Sequence, residues 1–144
     1  MNISRQGNSI PDDAGMRKWY KYMCQGIAQF GSEGRRFDHD LDSVIRMIRG
    51  AGFVDIECLH FRIPLGLWPK DPTLKEVGRY QLAAMLCGIE GLTLAPLIRG
   101  LGWKVEEVEV LLAEARNDAQ KKGQHYYFNG YAVWGRKASA AAGS

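Results

Sequence analysis

Apolar residues recur at intervals of three and four along the first part of the chain: Met16, Trp19, Tyr20, Met23, Ile27 and Phe30 form one helical stripe. Pro11, Asp12 and Asp13 stand just upstream, where proline suits a first turn and acids suit the positive end of the helix dipole. The stripe predicts a helix opening near Pro11 with one core-facing side, broken by Gly31, Ser32 and Gly34. A second stripe, Leu41, Val44, Ile45 and Ile48, predicts another helix ended by Gly50 and Gly52. From Phe53 to Ile63 the period becomes two. Val54, Ile56, Cys58 and His60 would share one face of a strand, and Phe53, Asp55, Glu57, Leu59 and Phe61 the other, until Pro64 ends it.

Pro69 and Pro72 mark a turn-rich connector, after which Thr73 and Glu76 have the spacing of a capping box. A helix from Leu74 would run through Val77, Leu82, Met85, Leu86 and Ile89 to Gly91. A short helix would follow from Leu94 to Leu101, and another from Val105 to about Lys122. The last has the stripe Val105, Val108, Leu111, Leu112 and Ala115 and Gly123 as its cap. An aromatic strand, His125 to Lys137, closes the pattern. The expected fold is α+β, mostly helical with two antiparallel strands: a loose segment over residues 1–10, a domain over 11–137 and a loose tail over 138–144. Two strands alone make a marginal sheet, so helices or a second chain must cover the hairpin.

Composition changes this picture little. The 144 residues, 46% hydrophobic and 24% charged, suit one globular domain. A net charge of +3, scattered along the chain, argues against a nucleic-acid groove. The reading finds no apolar run of the roughly 20 residues a membrane span requires, and no apolar core of a secretory signal at the start. Three widely spaced cysteines, with no CxxC, favour reduced thiols in a cytosolic or nuclear protein, and a cytoplasmic location is expected.

Familiar chemical motifs are missing. No GxGxxG follows a strand, and there is neither GxSxG nor HExxH. Asp38, His39 and Asp40 could ligate a metal, but adjacent residues rarely converge on one ion, and a solvated loop is the simpler reading. His60 is either a hydrogen-bonded strand residue or a general acid or base. His125 is a strand start or a turn, and Lys121 and Lys122 most simply end a helix. Glu57 and Arg62 could form a surface ion pair. Trp68, Tyr80 and Trp103, near the connectors, are core residues or a ligand platform.

The run AGFVDIECLHFRIPLGLWPKDPTLKEVGRY, from Ala51 to Tyr80, is more specific. It resembles the C-terminal part of fungal class I methyltransferases of secondary metabolism, with their AGF helix end, strand, PLGxWPKDxxLKExG connector and long helix. GLTLAPLIRGLGWKVEEVEVLLAEARND and HYYFNGYAVWGRK extend the resemblance over about Ser9 to Lys137. The resemblance implies that the strand at Phe53 is the sixth of a seven-stranded sheet, that the strand at Tyr126 is its antiparallel seventh, and that Met1 falls just after the fifth. The helices between would form a lid over the methyl-acceptor pocket. The glycine-rich, S-adenosylmethionine-binding half of the family has no counterpart here, so no cofactor-binding residue carries over and no cofactor is expected.

What the resemblance leaves is an acceptor-like pocket and exposed surface. A homodimer would cover that surface. The expected ligand is a largely apolar natural-product intermediate. The expected activity is a donor-independent cyclisation, pericyclic step or isomerisation, which a pocket accelerates by holding one reactive conformer. His60 would be the acid or base, with Glu57, Arg79 and Tyr126 orienting the ligand by hydrogen bonds. Arg62, Trp68, Tyr80, Trp103 and Tyr127 would bind it. The alternatives are a non-catalytic partner subunit and a fragment of a working methyltransferase.

Overall fold

The computed structural model describes residues 2–7, 9–30 and 41–139. The chain runs β1 (Asn2–Arg5), α1 (Gly15–Ala28), α2 (Leu41–Gly50), β2 (Phe53–Pro64), α3 (Pro72–Leu94), a π-helical segment (Ala95–Gly100), α4 (Val105–Gln120) and β3 (Tyr126–Lys137). The Asp38, His39 and Asp40 cluster, the glycine break after Phe30 and the end of the tail lie outside the described residues.

The sheet has three strands rather than two, in the order β1-β3-β2, with β3 antiparallel to both neighbours. The first residues, expected to be loose, supply the extra strand. Ile3 lies opposite Phe128, and Ser4 opposite Tyr127. A single buried apolar side chain, Ile3, anchors this strand in the core.

β2 and β3 form a long hairpin whose alternation breaks once. Val54 pairs with Arg136 but Glu57 with Trp134, so two residues of β2 oppose one of β3. Asp55 takes φ 51° there, and its carboxylate accepts hydrogen bonds from Arg136 Nε and Nη2 at 2.9 and 2.7 Å. Trp134 and Arg136 share a face, so Val54 lies on the side of Glu57 and not with Cys58 and His60. A bulge of this kind adds one residue and breaks strict alternation.

The helices pack at one end of this hairpin. Met16, Trp19 and Met23 of α1 are buried as the stripe predicts, whereas Phe30 is exposed. They meet Met85 and Ile89 of α3, Leu97, and Val108, Leu111, Leu112 and Ala115 of α4, with Tyr126 and Phe128 of β3 beneath. Close approach of α1 depends on glycine. A Cβ on Gly15 would run into the Glu114 carbonyl, and one on Gly26 into the Pro96 carbonyl. Trp19 Nε1 donates to Thr93 Oγ1 at 2.7 Å, and the Thr93 hydroxyl donates to the Ile89 carbonyl, which leaves this buried polar pair satisfied.

Several helix ends differ from expectation. α1 starts at Gly15 because Pro11 to Ala14 makes a turn, closed by the Ala14 N–H to the Pro11 carbonyl at 3.1 Å. Asp71, not Thr73, caps α3: its Oδ1 accepts from the Leu74 N–H at 2.8 Å, and Pro72 follows at the first position. The expected short helix is the π segment, continuous with α3. Together they make one helix, Pro72–Gly100, long and apolar enough by length and composition to cross a membrane, where the sequence reading found no such run. Only one side of it packs in the core, at Met85, Ile89, Thr93 and Leu97. Α contrasting case is α2, whose stripe is only half-buried and lies against the hairpin.

Candidate functional site

The connector between β2 and α3 bends back over the start of β3. The Tyr126 carbonyl accepts two bonds from it, the Leu65 N–H and Trp68 Nε1–H, each at 2.9 Å. The Gly66 N–H reaches the Gly78 carbonyl at 3.0 Å, and a Cβ on Gly78 would strike the Gly66 carbonyl. Connector and α3 are thereby fixed at van der Waals separation. On the other side, the Gln6 N–H donates to the His125 carbonyl at 3.0 Å.

These bonds frame an open cleft of about 600 Å³. Trp68 forms one wall, with the His125 imidazole stacked on it at 5.1 Å and 19° between planes. Tyr127 forms another, with the Arg62 guanidinium over its ring at 4.9 Å. Pro64, Pro69 and Leu74 supply apolar surface, and Gln6, Lys70 and Asp71 polar rim. A concave, mostly apolar surface with a few polar groups is the usual form of a small-molecule site.

Three of the nine residues singled out in the sequence meet here: Arg62, Trp68 and Tyr127. Tyr126 is fully buried behind the cleft and serves it through its carbonyl alone. Its hydroxyl donates to Asp118 Oδ2 at 2.8 Å, and burial, then that bond, raise its pKa well above the usual 10.0. His60 lies two residues from Arg62 on the exposed sheet face. It stacks on Tyr131 at 4.9 Å, and its Nε2 is 2.9 Å from Asn129 Oδ1. The Asn129 amide donates on to Ser4 Oγ at 3.0 Å, so its oxygen accepts and Nε2 carries a proton. Glu57 is farther along the hairpin, opposite Trp134, and does not pair with Arg62.

Arg79, Tyr80 and Trp103 do not reach the cleft. Arg79 pairs with Glu76 one turn back and lies over the Tyr80 ring at 5.0 Å; the bond to Glu76 raises its pKa. Tyr80 is 63% exposed on the outer side of α3. Trp103 packs on Tyr22 at 4.8 Å in the helical layer. Of the segments expected to form a lid, the connector and Leu74 at the start of α3 line this cleft. Gln6 and Lys70 were missed as lining residues, and His125, read as a strand start or a turn, lines the cleft as well. The WPKD run was the available signal for Lys70, whereas Gln6 reaches the cleft only through the unexpected β1.

The cleft does not suit a methyl donor held in the dinucleotide manner. That requires a glycine turn leading into a helix and an acid left free for a ribose. Asp71, the one carboxylate lining the cleft among the described residues, caps α3 through Oδ1. Among the described residues, no group of three or more His, Cys, Asp or Glu could hold a metal ion.

No family model matches the chain, and no solved structure does. Curated fungal proteins do. A secondary metabolism regulator of Cochliobolus heterostrophus is 29% identical over 127 residues, which is 88% of this chain and 40% of that protein. A methyltransferase of Aspergillus terreus is 32% identical over 124 residues, 86% of this chain and 37% of the relative. A protein-methionine methyltransferase of Emericella nidulans is 30% identical over 116 residues, 81% and 30% respectively. The chain is thus similar over most of its length to part of fungal secondary-metabolism methyltransferases, and spans between 30% and 40% of the length of these three.

Proposed function

We propose, with this similarity to fungal secondary-metabolism methyltransferases as premise, that the chain forms the acceptor-binding portion of such an enzyme. The carrying observation is the pairing of coverages: 86% of this chain matches 37% of the Aspergillus terreus methyltransferase. The sheet supports the reading. β1 and β2 run parallel on either side of the antiparallel β3, which is how the last strands of such a sheet would lie, with β1 in the place of the fifth. The outer edge of β1 then faces the side where the donor-binding portion would join.

In this role the chain's residues orient and shield an acceptor. Trp68 and Tyr127 hold a planar or apolar group, and Arg62 and Lys70 fix its polar end. The chemistry of the methyl donor would belong to the other portion. A donor-independent cyclisation or isomerisation that works by proton transfer would need its acid or base over the bound ligand. His60, chosen for that from the sequence, faces Tyr131 and Asn129 outside the cleft, so acceptor binding is the reading we favour.

Titration calorimetry tests it. The chain alone should give no heat with S-adenosylmethionine. Mixed with the portion of the Aspergillus terreus methyltransferase that it does not match, it should bind the donor more tightly than that portion does alone. Micromolar binding by the chain alone would overturn the assignment. We further propose that the exposed apolar part of the hairpin, with Leu59, Phe61 and Trp134, is covered by a second copy in the isolated chain.

A further inference from the structure

We propose that the cleft selects a planar aromatic ligand carrying an anionic group, a carboxylate or ionised phenol, over its neutral counterpart. This deepens the acceptor-binding reading and rests on it. The argument begins with charge. Arg62 and Lys70 both line the cleft, and neither makes an ion pair with any described residue. Asp71 keeps its charge while its Oδ1 accepts the Leu74 N–H at 2.8 Å at the start of α3, and it offsets one cation but not both. Two cations therefore share a rim with one carboxylate, which leaves a surplus of positive charge.

The second part is geometry. The Arg62 guanidinium carbon lies over the Tyr127 ring, 4.9 Å from its centre. A guanidinium held by a cation–π contact and by no ion pair with a described residue keeps its N–H donors for a planar anion such as carboxylate. Trp68 is held by its Nε1–H bond to the Tyr126 carbonyl and backed by His125, so its ring is a fixed surface and not a mobile flap. A flat ligand stacked along Trp68 can reach the cationic rim within one cleft of about 600 Å³, room for a ligand of two or three fused rings. The cations are exposed, so the preference is electrostatic and screened by salt.

The test compares 2-naphthoate with 2-naphthamide, which share a ring system and differ in charge. Binding to the whole chain is followed by the indole N–H resonance of Trp68, assigned with Trp68→Phe. Naphthoate should bind about tenfold more tightly than the amide in low salt, and the ratio should fall toward one in 0.5 M sodium chloride. The double variant Arg62→Gln with Lys70→Gln should abolish the ratio while the amide still binds, which also shows that the variant is folded. Equal affinities in low salt would overturn the charge preference and leave the acceptor-binding reading standing. Binding of neither probe at Trp68 would overturn both. Unchanged naphthoate affinity in the double variant would overturn the assignment to these two cations. No methyl donor is needed for any of these readings, so donor binding by the isolated chain, which would sink the broader assignment, is scored separately.

Discussion

Asp118 joins three elements through one carboxylate: its oxygens accept the Met16 N–H at 3.0 Å, the Gln124 side-chain amide at 3.0 Å and the Tyr126 hydroxyl at 2.8 Å. Removing the hydroxyl by Tyr126→Phe should cost on the order of 1 kcal/mol, read from urea denaturation. Asp118→Asn should cost more, because the Met16 N–H and the tyrosine hydroxyl both lose an anionic acceptor. The pH dependence has a definite sign. The folded state raises the Tyr126 pKa, so it holds the proton more firmly than the unfolded chain, whose phenol titrates near 10.0. The stabilisation is complete below that value and is lost as pH rises above it toward the folded pKa. Stability of Tyr126→Phe should fall less steeply above pH 10 than that of the unaltered chain. Of these residues only Tyr126 stood out in the sequence. Asp118 looked like any helix acid, because its partners are 102 residues upstream and 8 downstream. Arg62, Trp68 and Tyr127 were legible as cleft residues because each carries chemistry suited to a ligand and flanks a connector. Arg79 and Tyr80 had the same credentials. They fall on the outer side of α3, and only the way that helix docks decides it.

Helices of this chain contain two kinds of glycine, and they should respond oppositely to alanine. Gly91 lies on the exposed side of α3, where a Cβ would meet nothing within 4 Å. Gly91→Ala should raise stability by about 0.5–1 kcal/mol through helix propensity and a restricted unfolded state. Gly26 is buried where α1 crosses the π segment, against backbone that cannot yield like a side chain. Gly26→Ala should lower stability by about 1–3 kcal/mol or more. Thermal melting of the two variants checks the contrast. Element boundaries from α2 onward were legible within a few residues, because long stripes of period 3.6 and 2 dominate there. β1 was not. Asn2, Ile3, Ser4 and Arg5 offer one apolar residue, and their strand conformation depends on β3 being present. Nor was the bulge, which needs Asp55 in a conformation that its sequence does not announce.

Much apolar surface lies outside the helical layer. Phe53, Leu59, Phe61 and Trp134 on the hairpin are each at least 40% exposed. Light scattering of the isolated chain should show concentration-dependent association, and Leu59→Lys with Trp134→Lys should weaken it without lowering the melting temperature. A monomer at all concentrations would remove the proposed second copy. The resemblance implied two strands of a larger sheet, whereas the chain supplies three, because Asn2–Arg5 pair with β3. The strand order has a consequence for the timing of synthesis. β3 lies between β1 and β2, so among the described residues both earlier strands lack a partner until β3 has left the ribosome. Ser4 waits 125 residues for Asn129. A message cut short before that codon would yield helices with two unmatched strand edges, a species for chaperones or proteases to handle.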